Sequence, residues 1–485
     1  MSVPTSGLLF IPITLFFFFL YSRRLLHWTF FAAVFGAAAV VNIGGGFPVG
    51  ITPYFFACML FACRWVPDWF AGRLRWHPDD PIRKHLRLLW LFAVWSAFSA
   101  FALPVIFRGM PIDQARLGPD LGYYFQMPLA WTMSNAGQAA YIILDFIIVA
   151  GLARTTESRT LAGLVDAFSW SGAFVALFGV YQIIAHRMGL PFPPSVFNSN
   201  IAWGQHPDQS LAGDFRISST FVEPSSAGEF LSAWCVFELY MAVFSERSDY
   251  RHWLFLALGS WVLVLTRATT GYVASGVIWA FFLTASAKDL LVRRKLESRR
   301  IMAFAMLILG VIVGLAHGNG AQDLLDAVLF DKASSTSGVH RVATFSRAVG
   351  VFVNSYGIGV GLGSNRAMSM ALYILSNLGI PGIALFCCLL SQVYRMTASS
   401  RLKPLDRSFL ASLTAVQAAF AATLIAMILS GAEITGPQLW LLWGLLLAMV
   451  RREWLLERAY NLSKVMLLEP ADELIVLEER WAESA

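Results

Sequence analysis

The chain has 485 residues, of which 57% are hydrophobic and only 14% are charged, and its mean hydropathy is +0.62. A soluble protein of this length must present a polar surface to water, so the composition excludes that class and indicates a chain surrounded by a bilayer. The formal net charge of +6 does not require a nucleic-acid partner, because membrane orientation explains most of it.

Apolar runs long enough to cross about 30 Å of hydrocarbon recur along the chain. They predict an all-α polytopic membrane protein with about 13 transmembrane helices. The runs lie near residues 7–21, 28–48, 51–70, 88–107, 137–153, 163–185, 223–245, 253–266, 268–287, 301–316, 370–393, 409–430 and 436–450. Arg23 and Arg24 follow the first run and no basic segment precedes it, so we expect a retained helix rather than a removed signal peptide.

Lysine and arginine predict the orientation of these runs. When the gaps between runs are assigned alternately to two sides, 24 basic residues fall on one side and nine on the other. The richer side is cytoplasmic by the positive-inside rule, which puts the N-terminus outside and the C-terminus in the cytoplasm. The predicted parts are 1–185 (helices one to six), 186–222 (outer loop), 223–316 (helices seven to ten), 317–369 (large outer loop), 370–450 (helices eleven to thirteen) and 451–485 (acidic cytoplasmic tail).

Arginines on the outer side are the main candidates for a binding site. Each one works against the topology signal, so we interpret the retained group as functional. Guanidinium groups match phosphate oxygens bidentately and stay charged at any working pH, so several of them over one cavity would bind a diphosphate. The candidates are Arg216, Arg267, Arg341, Arg347 and Arg366. Taken singly, each is better explained as a solvated or snorkelling side chain.

A glycine-rich run, Tyr356-Gly-Ile-Gly-Val-Gly-Leu-Gly-Ser-Asn-Arg366, precedes the predicted eleventh helix. Its alternate glycines would let the backbone approach a ligand beside a helix N-terminus, and they fit tight turns equally well. The run matches neither the Walker nor the dinucleotide-binding pattern. Ser364 or Asn365 is placed to cap the helix that follows.

Three acidic residues have two interpretations each. Glu223, seven residues after Arg216, is a candidate proton acceptor or a residue that caps the next helix. Asp145 and Glu238 lie inside apolar runs, where ionisable groups are costly and often functional, although an interhelical hydrogen bond would also explain either. The five cysteines all fall in apolar runs without metal-ligand spacing, so we expect no metal site and no cofactor.

Four short segments carry a family resemblance. They are Arg216-Ile-Ser-Ser-Thr-Phe-Val-Glu-Pro-Ser-Ser-Ala, Thr266-Arg267-Ala-Thr-Thr-Gly271, the serine-rich approach to Arg341, and the glycine-rich run with Leu378-Gly-Ile-Pro-Gly382 after it. In these segments, and in topology over roughly residues 160 to 400, the chain resembles the O-antigen polymerase and ligase superfamily. Within that superfamily it is most similar to Wzy-type polymerases of bacterial exopolysaccharides.

The resemblance implies a metal-independent glycosyltransferase of the GT-C type that faces the periplasm from the bacterial inner membrane. Its donor would be a growing undecaprenyl-diphosphate-linked glycan, transferred to the nonreducing end of a newly flipped lipid-linked repeat unit. Arg216 and Arg341, or alternatively Arg347, would hold the diphosphates, and with Glu223 they form the predicted catalytic set. The implied partners are this lipid-linked oligosaccharide, membrane lipids, and a chain-length regulator or export complex.

Two other functions stay open at the level of sequence. An O-antigen ligase or protein O-oligosaccharyltransferase would use the same donor with another acceptor. Ligases of the superfamily carry a histidine shortly before a Gly-x-x-Gly segment, and this chain has none between Arg366 and Gly379, which favours a polymerase. A lipid-linked glycan transporter or flippase is the nonenzymatic alternative, but the repeated halves usual in transporters are not visible here.

Overall fold

The structure is a computed structural model in which helix accounts for 76% of the chain. It describes all residues except 22–23, 45–48, 73–75, 114–125, 203–208, 212–213, 246–248, 294–296, 317–335, 402–405, 432 and 467–485. Most of the predicted acidic tail therefore lies outside the described residues.

Helices follow one another along the chain, joined by connections of very different length. Their bounds are Thr5–Leu20 (α1), Leu25–Ala32 (α2), Pro53–Phe70 (α3), Pro81–Ile106 (α4), Met133–Arg154 (α5), Ser158–Met188 (α6), Pro194–Phe197 (α7), Pro224–Phe244 (α8), Tyr250–Thr266 (α9), Thr269–Arg293 (α10), Ser298–Ala316 (α11), Thr336–Asn354 (α12), Met370–Arg401 (α13), Arg407–Ser430 (α14) and Pro437–Met466 (α15). Local sequence explains several starts. Thr52 and Asp80 accept backbone hydrogen bonds as N-caps, and Pro53 and Pro81 fill the first turns that follow.

Short antiparallel hairpins lie between the helices. They pair Val41–Ile43 (β1) with Val49–Ile51 (β2), Pro111–Ile112 (β3) with Met127–Pro128 (β4), and Ser210–Leu211 (β5) with Asp214–Phe215 (β6). Sequence analysis predicted none of these pairs, because two or three residues carry too little alternation to be recognised.

Seven of the described helices are long and apolar enough to cross a membrane. They are α4, α5, α6, α8, α10 up to Val292, α13 up to Ser400, and α14. Helix α1 is equally apolar but shorter. The architecture is thus consistent with an all-α polytopic membrane protein, while the number thirteen and the GT-C architecture stay predictions.

Helix α8 lies at the centre of the site-bearing half of the molecule. It packs against α9, α10 and α14. Close approach depends on glycine: a Cβ at Gly259 would lie 2.5 Å from the Trp234 ring, and one at Gly271 would lie 2.7 Å from the Gly228 carbonyl oxygen. This close packing holds α8, α9 and α10 together.

The prediction of a helix over the whole of 28–48 is wrong. Helix α2 ends at Ala32, and residues 33–40 (the turn segment) continue as buried turns into β1. The physical reason is that another part of the chain supplies hydrogen-bond partners for this backbone. Thr220 donates its hydroxyl to the Val34 carbonyl (2.5 Å). Non-helical backbone is tolerated in lipid-surrounded proteins only where protein buries it or a cavity borders it.

The N-terminus lies at the same end of the molecule as the predicted loop 186–222. Ser2 exchanges backbone hydrogen bonds with Asn42 at 2.8 and 2.9 Å. The Asn42 side chain in turn donates to the Ser199 carbonyl at 2.8 Å. The N-terminus and this loop therefore lie on the same side of the molecule. That this side is periplasmic stays a prediction.

Asp145 and Glu238 make interhelical hydrogen bonds. Tyr54 on α3 donates to Asp145 Oδ1 (2.9 Å). Glu238 accepts from Ser169 on α6 (2.6 Å) and lies 2.6 Å from His252 Nδ1 on α9. Both carboxyl groups therefore make contacts between helices, which agrees with the structural interpretation of these residues.

The glycine-rich run makes tight turns within the protein. Gly357, Gly359, Gly361 and Gly363 all have positive φ. Gly361 donates to the Asn377 carbonyl (2.8 Å), and a Cβ there would lie 2.6 Å from the Ser99 carbonyl oxygen. The run thus packs on α4 and α13, which occupies the space a ligand would need. Neither Ser364 nor Asn365 caps α13, which begins at Met370.

Gly361→Ala is expected to destabilise the protein. At φ +100° an alanine costs roughly 1–3 kcal/mol in backbone strain, and its Cβ would also clash with Ser99. Gly350→Ala is the matched control, because a Cβ at Gly350 in α12 meets no atom within 4 Å. Thermal denaturation in detergent should give a lower apparent Tm for Gly361→Ala only, and equal values for both variants would contradict this packing.

Candidate functional site

Arg216 lies at the start of an irregular segment, residues 216–220, between α6, α9 and the turn segment. Gln182 on α6 fixes this segment: its Oε1 accepts from the backbone N–H groups of Ser218 (3.1 Å) and Ser219 (2.8 Å). Ser219 has a φ of +52°, which such bonding must hold in place. The position of Arg216 is therefore set by buried hydrogen bonds rather than by a loose loop.

The Arg216 guanidinium donates only to neutral oxygens. Nε donates to the Thr266 carbonyl (3.0 Å), and the terminal nitrogens donate to the Arg267 carbonyl and the Gln209 side chain (each 3.3 Å). Burial lowers the pKa of Arg216, Glu223 opposes this, and Arg267 adds to it. An arginine stays protonated despite such a shift. Within the described residues no carboxylate lies within salt-bridge distance of Arg216.

Arg267 is brought together with Arg216. It is the C-cap of α9 with a φ of +48°, so the chain reverses at once into α10. Close packing of Gly271 on Gly228 presses this turn against the start of α8. The segment from Thr266 to Gly271, predicted from sequence, thus lies beside Arg216.

Glu223 is the N-cap residue of α8, yet its side chain makes no capping bond to the backbone. Its carboxylate accepts a hydrogen bond from Ser225 and interacts electrostatically with Arg216. Glu223 is thus placed for either predicted role, because it is at a helix N-terminus and interacts with the candidate arginine.

Arg341 lies on α12 and contacts the end of α14. One terminal nitrogen donates to the Leu429 carbonyl (3.2 Å), while its buried Nε has no hydrogen-bond partner. A cation near a helix C-terminus interacts favourably with the helix dipole. Like Arg216, Arg341 has no carboxylate partner in the described part of the chain.

Arg347 and Arg366 surround Asp113, a residue that sequence analysis missed. Arg347 Nε lies 2.8 Å from Asp113 Oδ2, and the Arg366 backbone N–H donates to the Asp113 carbonyl (2.7 Å). Burial raises the pKa of Asp113, and the two arginines oppose that shift. Asn365 also accepts from the Asp113 N–H (3.0 Å). Arg347 is thus already paired with a carboxylate, unlike Arg216 and Arg341.

A cavity of ≈ 180 Å³ lies between α2, α6, α8, α14 and α15. One water needs only about 10–15 Å³ of such space, so the cavity admits a much larger group. Its polar side chains are Ser226, Glu229 and Gln438. The apolar wall includes Phe30, Phe168, Phe221, Phe230, Met427 and Leu441.

Neither Arg216 nor Arg341 lines this cavity. Arg216 precedes the wall residue Phe221 by five residues along the chain. Arg341 binds the carbonyl of Leu429, two residues after the wall residue Met427. Each arginine is therefore linked to the mainly apolar cavity through a short stretch of chain.

Sequence analysis missed three residues of this region: Gln182, Asp113 and Glu229. Glu229 could have been found, because it is an ionisable residue within the apolar run 223–245, as Glu238 is. Gln182 is likewise a polar residue within an apolar run. No comparable signal marks Asp113, whose importance depends on a contact with Arg347, 234 positions further along the chain.

The described residues contain no group of three or more His, Cys, Asp or Glu side chains that could hold a metal ion. Metal independence of the predicted reaction is a separate matter and stays a prediction.

Asp113→Asn is expected to flatten the pH dependence of stability. The pKa of Asp113 is raised in the folded state, so this carboxyl stabilises the fold fully below about pH 3.9 and loses that contribution as the pH rises through the folded pKa. The apparent Tm of the wild type should fall between about pH 4 and pH 7 in part because Asp113 loses its proton, and this part of the fall should be missing in the variant. Asp79→Asn, at an exposed carboxylate beyond the other end of α4, is the control, and identical profiles for wild type and Asp113→Asn would contradict the assignment.

Comparison with known proteins adds no family. The sequence matches no protein-family model, and no curated protein matches it significantly. The likeness to O-antigen polymerases and ligases therefore rests on the residues of the four segments.

Proposed function

We propose that this protein is a polysaccharide polymerase of the bacterial inner membrane. It transfers a growing undecaprenyl-diphosphate-linked glycan onto a new lipid-linked repeat unit at the periplasmic face. The observation that carries the proposal is the pair Arg216 and Arg341, two cations without carboxylate partners in the described part of the chain. Each is linked through a short stretch of chain to the wall of one largely apolar cavity.

The chemistry follows from charge. Departure of a lipid diphosphate develops negative charge on its oxygens, and fixed guanidinium groups stabilise that charge more than they stabilise the ground state. Arg216 is positioned by three hydrogen bonds to neutral acceptors, so its positive charge is available to an anion. Apolar walls lower the local dielectric and strengthen this attraction.

Arg341 is favoured over Arg347 as the second phosphate ligand. The Arg347 guanidinium is bound to Asp113 at 2.8 Å, and a phosphate would have to compete with that carboxylate. Arg341 donates to a carbonyl oxygen and keeps a buried Nε without a partner. A phosphate oxygen would supply the acceptor that this nitrogen lacks.

The other parts of the proposal follow from the resemblance. They are the GT-C architecture, metal independence, the undecaprenyl carrier, and a chain-length regulator or export complex as partner. A ligase or protein O-oligosaccharyltransferase would share the donor site and differ in acceptor. Glycan length on the lipid carrier, compared with glycan on other acceptors, separates these activities.

Arg216→Ala and Arg341→Ala are each expected to lower polymer synthesis by about 10²–10³-fold, the usual effect of removing one donor to a developing anion. Membrane abundance should change little, because in the described part of the chain neither guanidinium pairs with a carboxylate that its removal would leave unpaired. Arg347→Ala should reduce synthesis less, since Asp113 occupies its guanidinium. Polymer length is measured on gels of lipid-linked glycan from membranes with matched protein levels.

Arg395→Ala, at an exposed arginine of α13, is the matched control and should make normal polymer. Arg216→Lys should recover only part of the activity, because an ammonium keeps the charge without the planar fork. Normal polymer from Arg216→Ala or from Arg341→Ala would remove the diphosphate-binding role.

A further inference from the structure

The Glu229 carboxylate lines the cavity from within α8. It lies about 8 Å further along the helix than Pro224, at 1.5 Å per residue. Within the described residues its side chain makes no hydrogen bond and no ion pair, and it is one of three polar side chains in the cavity wall. A carboxylate inside an apolar helix bundle normally has a partner or a function.

Glu223 is less well placed for chemistry in the cavity. It does not line the cavity, and its carboxylate already accepts a hydrogen bond from Ser225. Glu223 interacts electrostatically with both Arg216 and Glu229. The charge of Glu223 therefore influences both the arginine and the cavity carboxylate.

The wall beside Glu229 also offers an unused donor. Gln438 at the start of α15 lines the cavity, and its buried Nε2 has no hydrogen-bond partner. Ser226, one turn before Glu229 on α8, adds a hydroxyl to the same wall. A carboxylate, an amide and a hydroxyl around one space match the hydrogen-bonding groups of a sugar.

We infer that Glu229, rather than Glu223, is the proton acceptor for an acceptor-sugar hydroxyl that enters this cavity. The inference rests on the proposed function and adds to it the second catalytic group. The cavity then takes the acceptor sugar, while Arg216 and Arg341 hold the diphosphate.

The step balances as a single displacement. The hydroxyl oxygen attacks the anomeric carbon of the donor glycan, and its proton passes to the Glu229 carboxylate. The bond between that carbon and the diphosphate oxygen breaks, and its electron pair leaves with the lipid diphosphate. Arg216 and Arg341 stabilise the resulting charge.

The test compares Glu229→Gln with wild type, using purified protein and lipid-diphosphate-linked repeat units. Chain extension should fall by about 10²–10⁴-fold, the usual loss of a general base. Binding of the same lipid-linked substrate should change by less than about threefold, because the arginines are intact. Glu157→Gln, at an exposed acidic residue before α6, should extend chains at the wild-type rate.

The pH–rate profile separates catalysis from a structural role. The wild-type rate should fall towards acid as the base is protonated, and the residual rate of Glu229→Gln should lack that limb. A wild-type rate in Glu229→Gln, or a residual rate with an unchanged acid limb, would overturn the inference. Glu229→Asp, which keeps a carboxylate, should retain the limb at a reduced rate. If wild type itself makes no chains, the proposed function fails instead.

Discussion

Backbone N–H and C=O groups surrounded by lipid must find partners inside the protein, and the site depends on how this chain meets that constraint. The turn segment 33–40 is not helical, and residues 216–220 lie beside it. Thr220 binds the Val34 carbonyl, and Gln182 binds the backbone of the segment 216–220. Together these bonds hold the turn segment beside the segment that begins with Arg216. Two irregular segments thus stabilise each other, and neither would be tolerated alone.

Pairing of charges then distinguishes arginines that look alike in sequence. Arg347 has Asp113 at 2.8 Å, whereas Arg216 and Arg341 donate to neutral oxygens. Holding a partly buried cation without a carboxylate at salt-bridge distance costs free energy. That cost is reasonable where a ligand supplies the negative charge, which is the physical ground for assigning the diphosphate to these two residues.

Sequence analysis captured the long helices because twenty apolar residues are a strong local signal. It was wrong over 28–48, since composition there is apolar but the backbone is bound to a segment about 180 residues away. For the same reason sequence analysis did not identify Asp113, whose contact with Arg347 joins residues 234 positions apart. For the glycine-rich run, sequence permitted two interpretations, and only the packing of Gly361 against Ser99 separates them. Glu229 meets the criterion that identified Glu238, because it is an ionisable residue within an apolar run. Its position in a cavity wall, without a hydrogen-bond partner among the described residues, becomes visible only in the structure.

The most direct test of the central claim is incubation of the purified, detergent-solubilised protein with lipid-diphosphate-linked repeat units in the absence of divalent metal. Glycan length on gels is the measurement. The account predicts a ladder of products that grow by one repeat unit at a time on the lipid carrier. Unchanged substrate, with a native repeat unit and protein shown to be folded, would contradict the polymerase assignment.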